Sequence, residues 1–335
     1  PTHRKIQEVR QGSENMTSLP AVYGQQQRAL QQQGLEDVLG LFLSSLDVSL
    51  ATKSTYSRTL KQFLLWLQEA GKTALLQRHE LQPEDILQYK EALLAEGKSA
   101  YSVSSYLTSV RRFFSWLEVK GLHTNVAREV KGAKKPKGFR KDTLTPEQLR
   151  SALDGIDRST LEGLRDYAMF NLMARTALRT VEVSRATVGD LRQEGGRAIL
   201  WVTGKGRSAA DEFVLLTEET LVPIREWLSL RRAAFGPLQD EEPLFCSLSN
   251  NNQGGQITTR YISGVVKRAL RAIGLDSKRL TAHSLRHTAI TLARLGGASL
   301  EATQAMARHS KIETTQQYDH MINRLQGAAE QFIQF

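Results

Sequence analysis

The chain has 335 residues, with 45 Lys plus Arg against 35 Asp plus Glu, a formal charge of +10. At roughly 100–200 residues per domain this length predicts two domains, and 40% apolar with 24% charged residues describes ordinary folded cores rather than a disordered or fibrous chain. One cysteine, Cys246, excludes an internal disulfide scaffold and a cysteine-rich zinc module.

No apolar run approaches the roughly 18 residues that span a bilayer, and the N-terminus lacks a signal-like apolar core. A soluble protein of a reducing compartment, with no membrane partner, is expected. The positive charge points to a polyanionic partner, because Lys and Arg on phosphates release condensed counterions.

Residues 1–34 are rich in Gln and poor in regularly spaced apolar positions, so a flexible arm is expected. The start at Pro1 rather than Met is what a processed or trimmed end would leave. From Leu35 the apolar residues Val38, Leu39, Phe42, Leu43 and Leu46 recur at helical spacing. A second helix is expected from about Ala51, a third from Pro83 through Leu94 with Gly97 just past its end, and a fourth carrying Tyr106, Val110, Phe113, Phe114 and Leu117. Four helices make a small all-α domain over residues 35–125. The connection into its fourth helix, Lys98 to Ser102, and that helix itself mix hydroxyls and cations, with Lys98, Ser102, Arg111 and Arg112 as candidate phosphate contacts. A solvated helix face would read the same way.

Residues 126–142 are expected to form an interdomain linker. Within it, residues 131–141 hold Lys131, Lys134, Lys135, Lys137, Arg140 and Lys141 and no acid, an arrangement that repels itself and could follow a nucleic-acid backbone. A localisation or solubilising run is the other reading. Thr145-Pro146-Glu147-Gln148 then spells a capping box. Beyond it, helices are expected over 161–175, 218–234, 258–273, 284–295, 300–307 and 314–321, and in the tail from Leu325. In the helix over 161–175, Leu161, Leu164, Ala168 and Leu172 are expected to face inward. Three strands are expected at 188–191, 198–202 and 212–216.

Four segments place cations, histidines or a tyrosine beside glycines or helix ends. Cleaving a phosphodiester requires fixed cations on the non-bridging oxygens, and the planar forks of Arg179 and Arg286 suit that task. Lys205, at a glycine-flanked turn, can protonate a leaving oxygen. His283 and His309 can exchange protons near neutrality, and Tyr318 offers a nucleophilic oxygen. Glu182, three residues after Arg179, can orient its guanidinium. His283 and His287, spaced i and i+4, could instead hold zinc, but no Glu follows the first His as in H-E-x-x-H, and His287 reads better as a supporting residue.

Together these segments resemble the boxes of the tyrosine recombinase (phage integrase) superfamily, Xer and integrase members in particular. Thr176-Ala177-Leu178-Arg179 with Glu182 is similar to T-G-L-R-x-x-E, Lys205 to the lysine of G-K-G, His283-Ser284-Leu285-Arg286-His287 to H-x-L-R-H, and His309 with Tyr318 to the third box. The chain departs where the family writes L-G-H: Ala307-Arg308-His309 puts a large cation at the glycine, which would either hinder close DNA approach there or add a phosphate contact at Arg308. Ala177 replaces the other glycine. Arg207, beside the lysine turn, is a further candidate DNA contact.

The resemblance implies a mainly α fold with a small antiparallel sheet, arranged as a two-domain C-shaped clamp on DNA. Residues 35–125 would be the core-binding domain, 143–324 the catalytic domain, and 325–335 a tail that docks on a neighbouring protomer or folds back on its own core. It implies a site-specific recombinase working through a 3′-phosphotyrosyl intermediate, with no metal, nucleotide or other cofactor. Its partners would be double-stranded DNA with specific sites and further copies of the chain, a dimer per site and a tetramer in synapsis, with accessory DNA-bending or directionality proteins. The setting would be the cytoplasm of a bacterium, chromosomal, phage-borne or mobile. A type IB topoisomerase or a non-catalytic DNA-binding protein are the rival expectations.

Overall fold

The computed structural model describes residues 34–136, 142–204 and 209–333, without the side chains of 325 and 326. The arm expected over 1–34 lies outside these described residues save for residue 34, as do Lys137, Arg140, Lys141, Lys205, Arg207 and the final residue Phe335. Two compact units divide the chain, one reaching to residue 137 and the other beginning at 138.

The first unit is all helical: α1 (Leu35–Ser45), α2 (Leu50–Glu69), α3 (Thr73–Gln77), α4 (Pro83–Ala95) and α5 (Ala100–Val119). Serines start the two long helices. Ser49 accepts from the Thr52 amide and Ser99 from the Ser102 amide, each satisfying a donor that the first helical turn leaves open. α3 is one short turn that apolar periodicity is too brief to reveal. Phe42, Phe63, Phe113 and Phe114 fill the centre, with Phe63 edge-on to Tyr89 at 5.0 Å and Phe42 edge-on to Phe113 at 5.4 Å.

Ala127 and Val130 are buried in the same core, so the stretch expected as linker from residue 126 belongs at first to this unit. Its apolar residues, spaced between the cations, pull the backbone onto α5. Arg111 donates to the Val130 carbonyl at 3.2 Å, and Lys135 lies over the Tyr101 ring at 5.6 Å.

The second unit holds α6 (Pro146–Asp154), α7 (Leu161–Thr176), α8 (Thr180–Arg185), β1 (Leu191–Glu194), β2 (Arg197–Val202), β3 (Glu212–Leu215), α9 (Glu218–Phe235), α10 (Thr259–Ala272), α11 (Ala282–Leu295), α12 (Leu300–Ala307) and α13 (Ile312–Gln326). The sheet is antiparallel in the order β1-β2-β3, with Leu191 opposite Leu200 and Val202 opposite Glu212. The first strand differs from expectation. Val188–Asp190 is a 3-10 turn held by reciprocal Thr187 and Asp190 caps, and the strand follows it. Gly195 and Gly196, with φ of +56° and +76°, then form the two-residue turn that sets Glu194 against Arg197.

Helix α7 is central. Ala168, Met169, Phe170, Leu172 and Met173 are buried against Trp227 of α9, Leu200 of β2 and Leu285 of α11. Leu161 and Leu164, expected inward, are only partly covered; Arg165 and Asp166 are the buried pair instead. The Arg165 guanidinium reaches Asp166 at 2.8 Å and the Cys246 carbonyl at 3.0 Å, the pairing a buried charge requires. The tail also differs: α13 runs to Gln326, a 3-10 turn covers Ala329–Phe332, and Phe332 is exposed rather than folded onto the core.

The aromatic centre of the first unit gives a quantitative expectation. Phe63→Ala, removing a fully buried ring, costs about 3–5 kcal/mol by urea denaturation of the full chain. A loss below about 1 kcal/mol would mean that the core repacks freely.

Candidate active site

The carboxyl end of α7, the start of α8, one face of α11 and the α12–α13 connection meet in the second unit. α7 stops at Ala177, whose φ of +54° turns the chain left-handed. Arg179 is then the N-cap of α8, and Glu182, one turn in, reaches back to it. The Glu182 carboxylate accepts from the Arg179 backbone N–H at 2.7 Å and from its guanidinium at 2.7 Å. Burial opposes ionisation of Glu182, but Arg308, the Arg179 amide and the Arg179 guanidinium together hold its pKa below the usual carboxylate value.

α11 begins with a Thr281–Ser284 capping box and carries His283, Arg286 and His287. Arg286 is 3% exposed; its guanidinium donates to the Ala177 carbonyl at 2.6 Å and to the Ala307 carbonyl. Burial first, then repulsion from Arg179 and Arg308, lowers its pKa to about 9, so it stays cationic at neutral pH. Arg179, His283 and Arg286 share the lining of a cavity of about 290 Å³ with Thr180 and Ser263. The same histidine stands edge-to-face with His287 at 4.8 Å.

Tyr318, on α13, is 2% exposed within a small apolar cluster of Ala177, Ala289, Ile290 and Ala307. Its hydroxyl is hydrogen-bonded to His287 Nδ1 at 2.6 Å. Burial raises the phenol to about 12 against the opposing charge of Arg286. Desolvation, then the neighbouring cations and histidines, lowers His287 and His309 to about 4 each, so both imidazoles are neutral at pH 7. His309 Nδ1 meets the Thr315 hydroxyl at 2.9 Å, and next to the tyrosine Asp319 makes a two-pronged ion pair with Arg294 of α11 at 2.6 and 2.9 Å.

Five of the six residues expected to be catalytic, Arg179, His283, Arg286, His309 and Tyr318, are thus gathered from separate segments, with Glu182 and His287 in supporting contact. Lys205 falls outside the described residues. Sequence reasoning missed Thr315, Arg294 and Asp319, none of which stands in a recognisable motif; only the fold makes them neighbours of the site.

The DNA-contact expectations divide. Arg112, Lys131, Lys134 and Lys135 are exposed on the first unit. Lys98 pairs with Glu96 at 2.9 Å, and the Ser102 hydroxyl lies 3.0 Å from that of Ser99. Arg308 is corrected. Its side chain is 4% exposed and turned inward, paired with Glu182 at 2.8 Å, because the left-handed backbone at φ +53° directs it towards a buried carboxylate rather than solvent.

Residues 142–324, more than half of the chain, match the phage integrase family, and residues 41–121 match the phage integrase N-terminal SAM-like domain. A tyrosine recombinase of Synechococcus elongatus is 30% identical over 290 residues, covering 84% of this chain and 88% of the relative. The XerD tyrosine recombinase of Listeria monocytogenes serotype 4b is 28% identical, covering 89% and 97%. Among solved structures, XerH site-specific recombinase bound to a palindromic difH substrate aligns with a TM-score of 0.69 at 21% identity, over 84% of this chain and 80% of that one. The lambda integrase (75–356) dimer bound to a COC′ core site aligns at 0.62 and 17% identity, over 85% and 95%.

The family match and these relatives make the chain a recombinase of the tyrosine class. The chain belongs to the phage integrase family, the tyrosine recombinases.

The neutral histidines carry a pH signature. A histidine whose folded pKa is depressed stabilises the fold fully above its unfolded value, near 6.5, and loses that contribution as pH falls towards 4. The melting temperature therefore falls between pH 7 and 5, and His287→Gln or His309→Gln makes that fall shallower. Parallel profiles for wild type and both variants would contradict the assignment.

Proposed function

We propose that the chain is a site-specific DNA recombinase that cuts and rejoins duplex DNA through a 3′-phosphotyrosyl ester, with Arg179, Lys205, His283, Arg286, His309 and Tyr318 as its catalytic residues. The observation that carries this reading is the gathering, from separate segments, of a buried tyrosine held by His287, a second neutral histidine at His309, and an excess of guanidinium charge beside the cavity lined by Arg179, His283 and Arg286. Arg179, Arg286 and Arg308 surround a single carboxylate, Glu182. That imbalance is relieved when a phosphate enters beside Arg179 and Arg286.

The Tyr318 oxygen attacks the scissile phosphorus and gives up its proton to a base. The bond from phosphorus to the 5′-oxygen breaks, that oxygen takes a proton, and the 3′-phosphate is left esterified to the tyrosine. A different 5′-hydroxyl reverses the step, so the ester conserves the energy of the bond and no ATP is consumed. At neutral pH the phenol is protonated, and its proton passes to a histidine of the site as the phenol turns to the phosphate. Lys205 supplies the proton to the leaving oxygen. Attack requires the phenol to leave His287 and turn towards the phosphate, in its own protomer or in a neighbouring one.

Residues 35–125 act as the core-binding domain, the basic stretch through 142 follows the DNA backbone, and residues 143–324 form the catalytic domain. Together they grip one duplex. Exposed Arg112, Lys131, Lys134 and Lys135 support phosphate contact by the first unit. Exposure of Phe332 and Ile333 at 77% and 62% supports docking of the tail on a second protomer, with a dimer per site and a tetramer in synapsis. The work is that of a bacterial cytoplasm, on nucleoid, phage or mobile-element DNA. No described helix is long and apolar enough to cross a membrane.

A duplex nicked next to the cleavage site lets the freed fragment diffuse away and traps the ester. Wild type gives a covalent protein–DNA band in the presence of EDTA, and Tyr318→Phe gives none. Arg286→Ala slows trapping by about 10²–10³, the cost of roughly 3–4 kcal/mol for one lost transition-state donor. An undiminished band from the phenylalanine variant removes Tyr318 from the mechanism.

A further inference from the structure

Arg308 occupies a position where glycine would be the relaxed choice. Its backbone is left-handed, and such strain in a residue with a side chain persists only when the surroundings over-determine it. The surroundings here are specific. One guanidinium nitrogen donates to Glu182 Oε2 at 2.8 Å and lies 3.3 Å from the Ala177 carbonyl; the other donates to the Met306 carbonyl at 2.5 Å. Glu182 is fully buried and is the same carboxylate that receives the backbone and side chain of Arg179. The neighbours of Arg308 also matter: Ala307 gives its carbonyl to Arg286, and His309 follows directly.

We propose that Arg308 is a positioning residue for strand cleavage, acting through Glu182 to fix Arg179 and to hold the His309 segment in register with it. The proposal rests on the recombinase reading and deepens it. With Arg308 present, Glu182 is neutralised from behind and engages one guanidinium nitrogen of Arg179, leaving the rest of that fork to face the cavity shared with His283 and Arg286. Without it, the buried carboxylate has Arg179 alone, and the fork is drawn back from the phosphate. The three guanidiniums less the one carboxylate leave two net positive charges at the site; loss of Arg308 leaves one.

Relief of strain and loss of positioning pull in opposite directions, which makes Arg308→Gly informative. Arg308→Met keeps bulk without charge, and Arg308→Lys keeps charge without a fork. Single-turnover cleavage of the nicked duplex at saturating protein is compared with DNA affinity from gel shift. The glycine and methionine variants should cleave about 10- to 100-fold slower, the scale of a misplaced catalytic group, while affinity changes by less than about threefold, the pattern of a loss confined to the transition state. Lysine should restore part of the rate. The acid limb of the rate profile should move to higher pH, since Glu182 stays buried but loses the charge that keeps it ionised. Arg308→Gly combined with Glu182→Gln should cleave no slower than Glu182→Gln alone.

A glycine variant that cleaves at the wild-type rate with the wild-type pH profile overturns the proposal, as does an additive double variant. Absence of a covalent band from wild type overturns the recombinase reading instead. In that case melting temperature still decides on the ion pair: the deficit of Arg308→Met should be large at pH 7 and shrink as pH falls and the Glu182 carboxylate takes up a proton. A deficit independent of pH would sink it.

Discussion

One buried carboxylate organises the second unit. Glu182 lies in the first turn of α8, where it caps its own helix and at the same time accepts from Arg179 and Arg308. Removing a carboxylate from water is costly, and the cost is offset only if every oxygen finds a strong donor. Two guanidiniums and a backbone amide meet that requirement here. The consequence is geometric: the end of α7, the start of α8 and the end of α12 cannot move independently while that carboxylate stays ionised.

Both non-glycine residues that stand at glycines of the family pattern, Ala177 and Arg308, are left-handed. Each such residue costs roughly 1–2 kcal/mol relative to a relaxed backbone. Glycine would remove that penalty, which gives the pattern its physical basis. In this chain the strain is held instead by hydrogen bonds to the carbonyls that flank the turns. Arg286 binds the carbonyls of Ala177 and Ala307, and Arg308 approaches that of Ala177, so the cations that confer the site's charge also clamp its two strained turns.

Tyr318 is stored apart from the cations. Tyr318 sits in its own apolar cluster, hydrogen-bonded to His287, while Asp319 beside it is clasped by Arg294. His287 and Arg294 are seven residues apart and so share one face of α11. The helix that presents His283 and Arg286 therefore also holds the helix that bears the tyrosine. Burial that keeps the phenol protonated and the imidazoles neutral is a property of this packed arrangement, and it changes once the tyrosine turns outward.

Much of this was written along the chain. Periodic apolar residues and capping signals fixed the long helices, from the Thr145–Gln148 box to the run of Leu35, Val38 and Phe42, because local backbone satisfaction and a one-sided apolar stripe depend on near neighbours alone. The candidate site residues were legible for a related reason: phosphoryl chemistry restricts residue types, and helix ends restrict their spacing. Contacts between distant segments were not. Nothing near residue 308 in the sequence shows that its cation turns inward to Glu182, that Tyr318 rests on His287, or that Ala127 and Val130 draw a basic stretch onto α5. Those outcomes depend on which buried charge lies opposite and on how much apolar area each turn can cover, and only the packed chain brings such partners within a few ångströms.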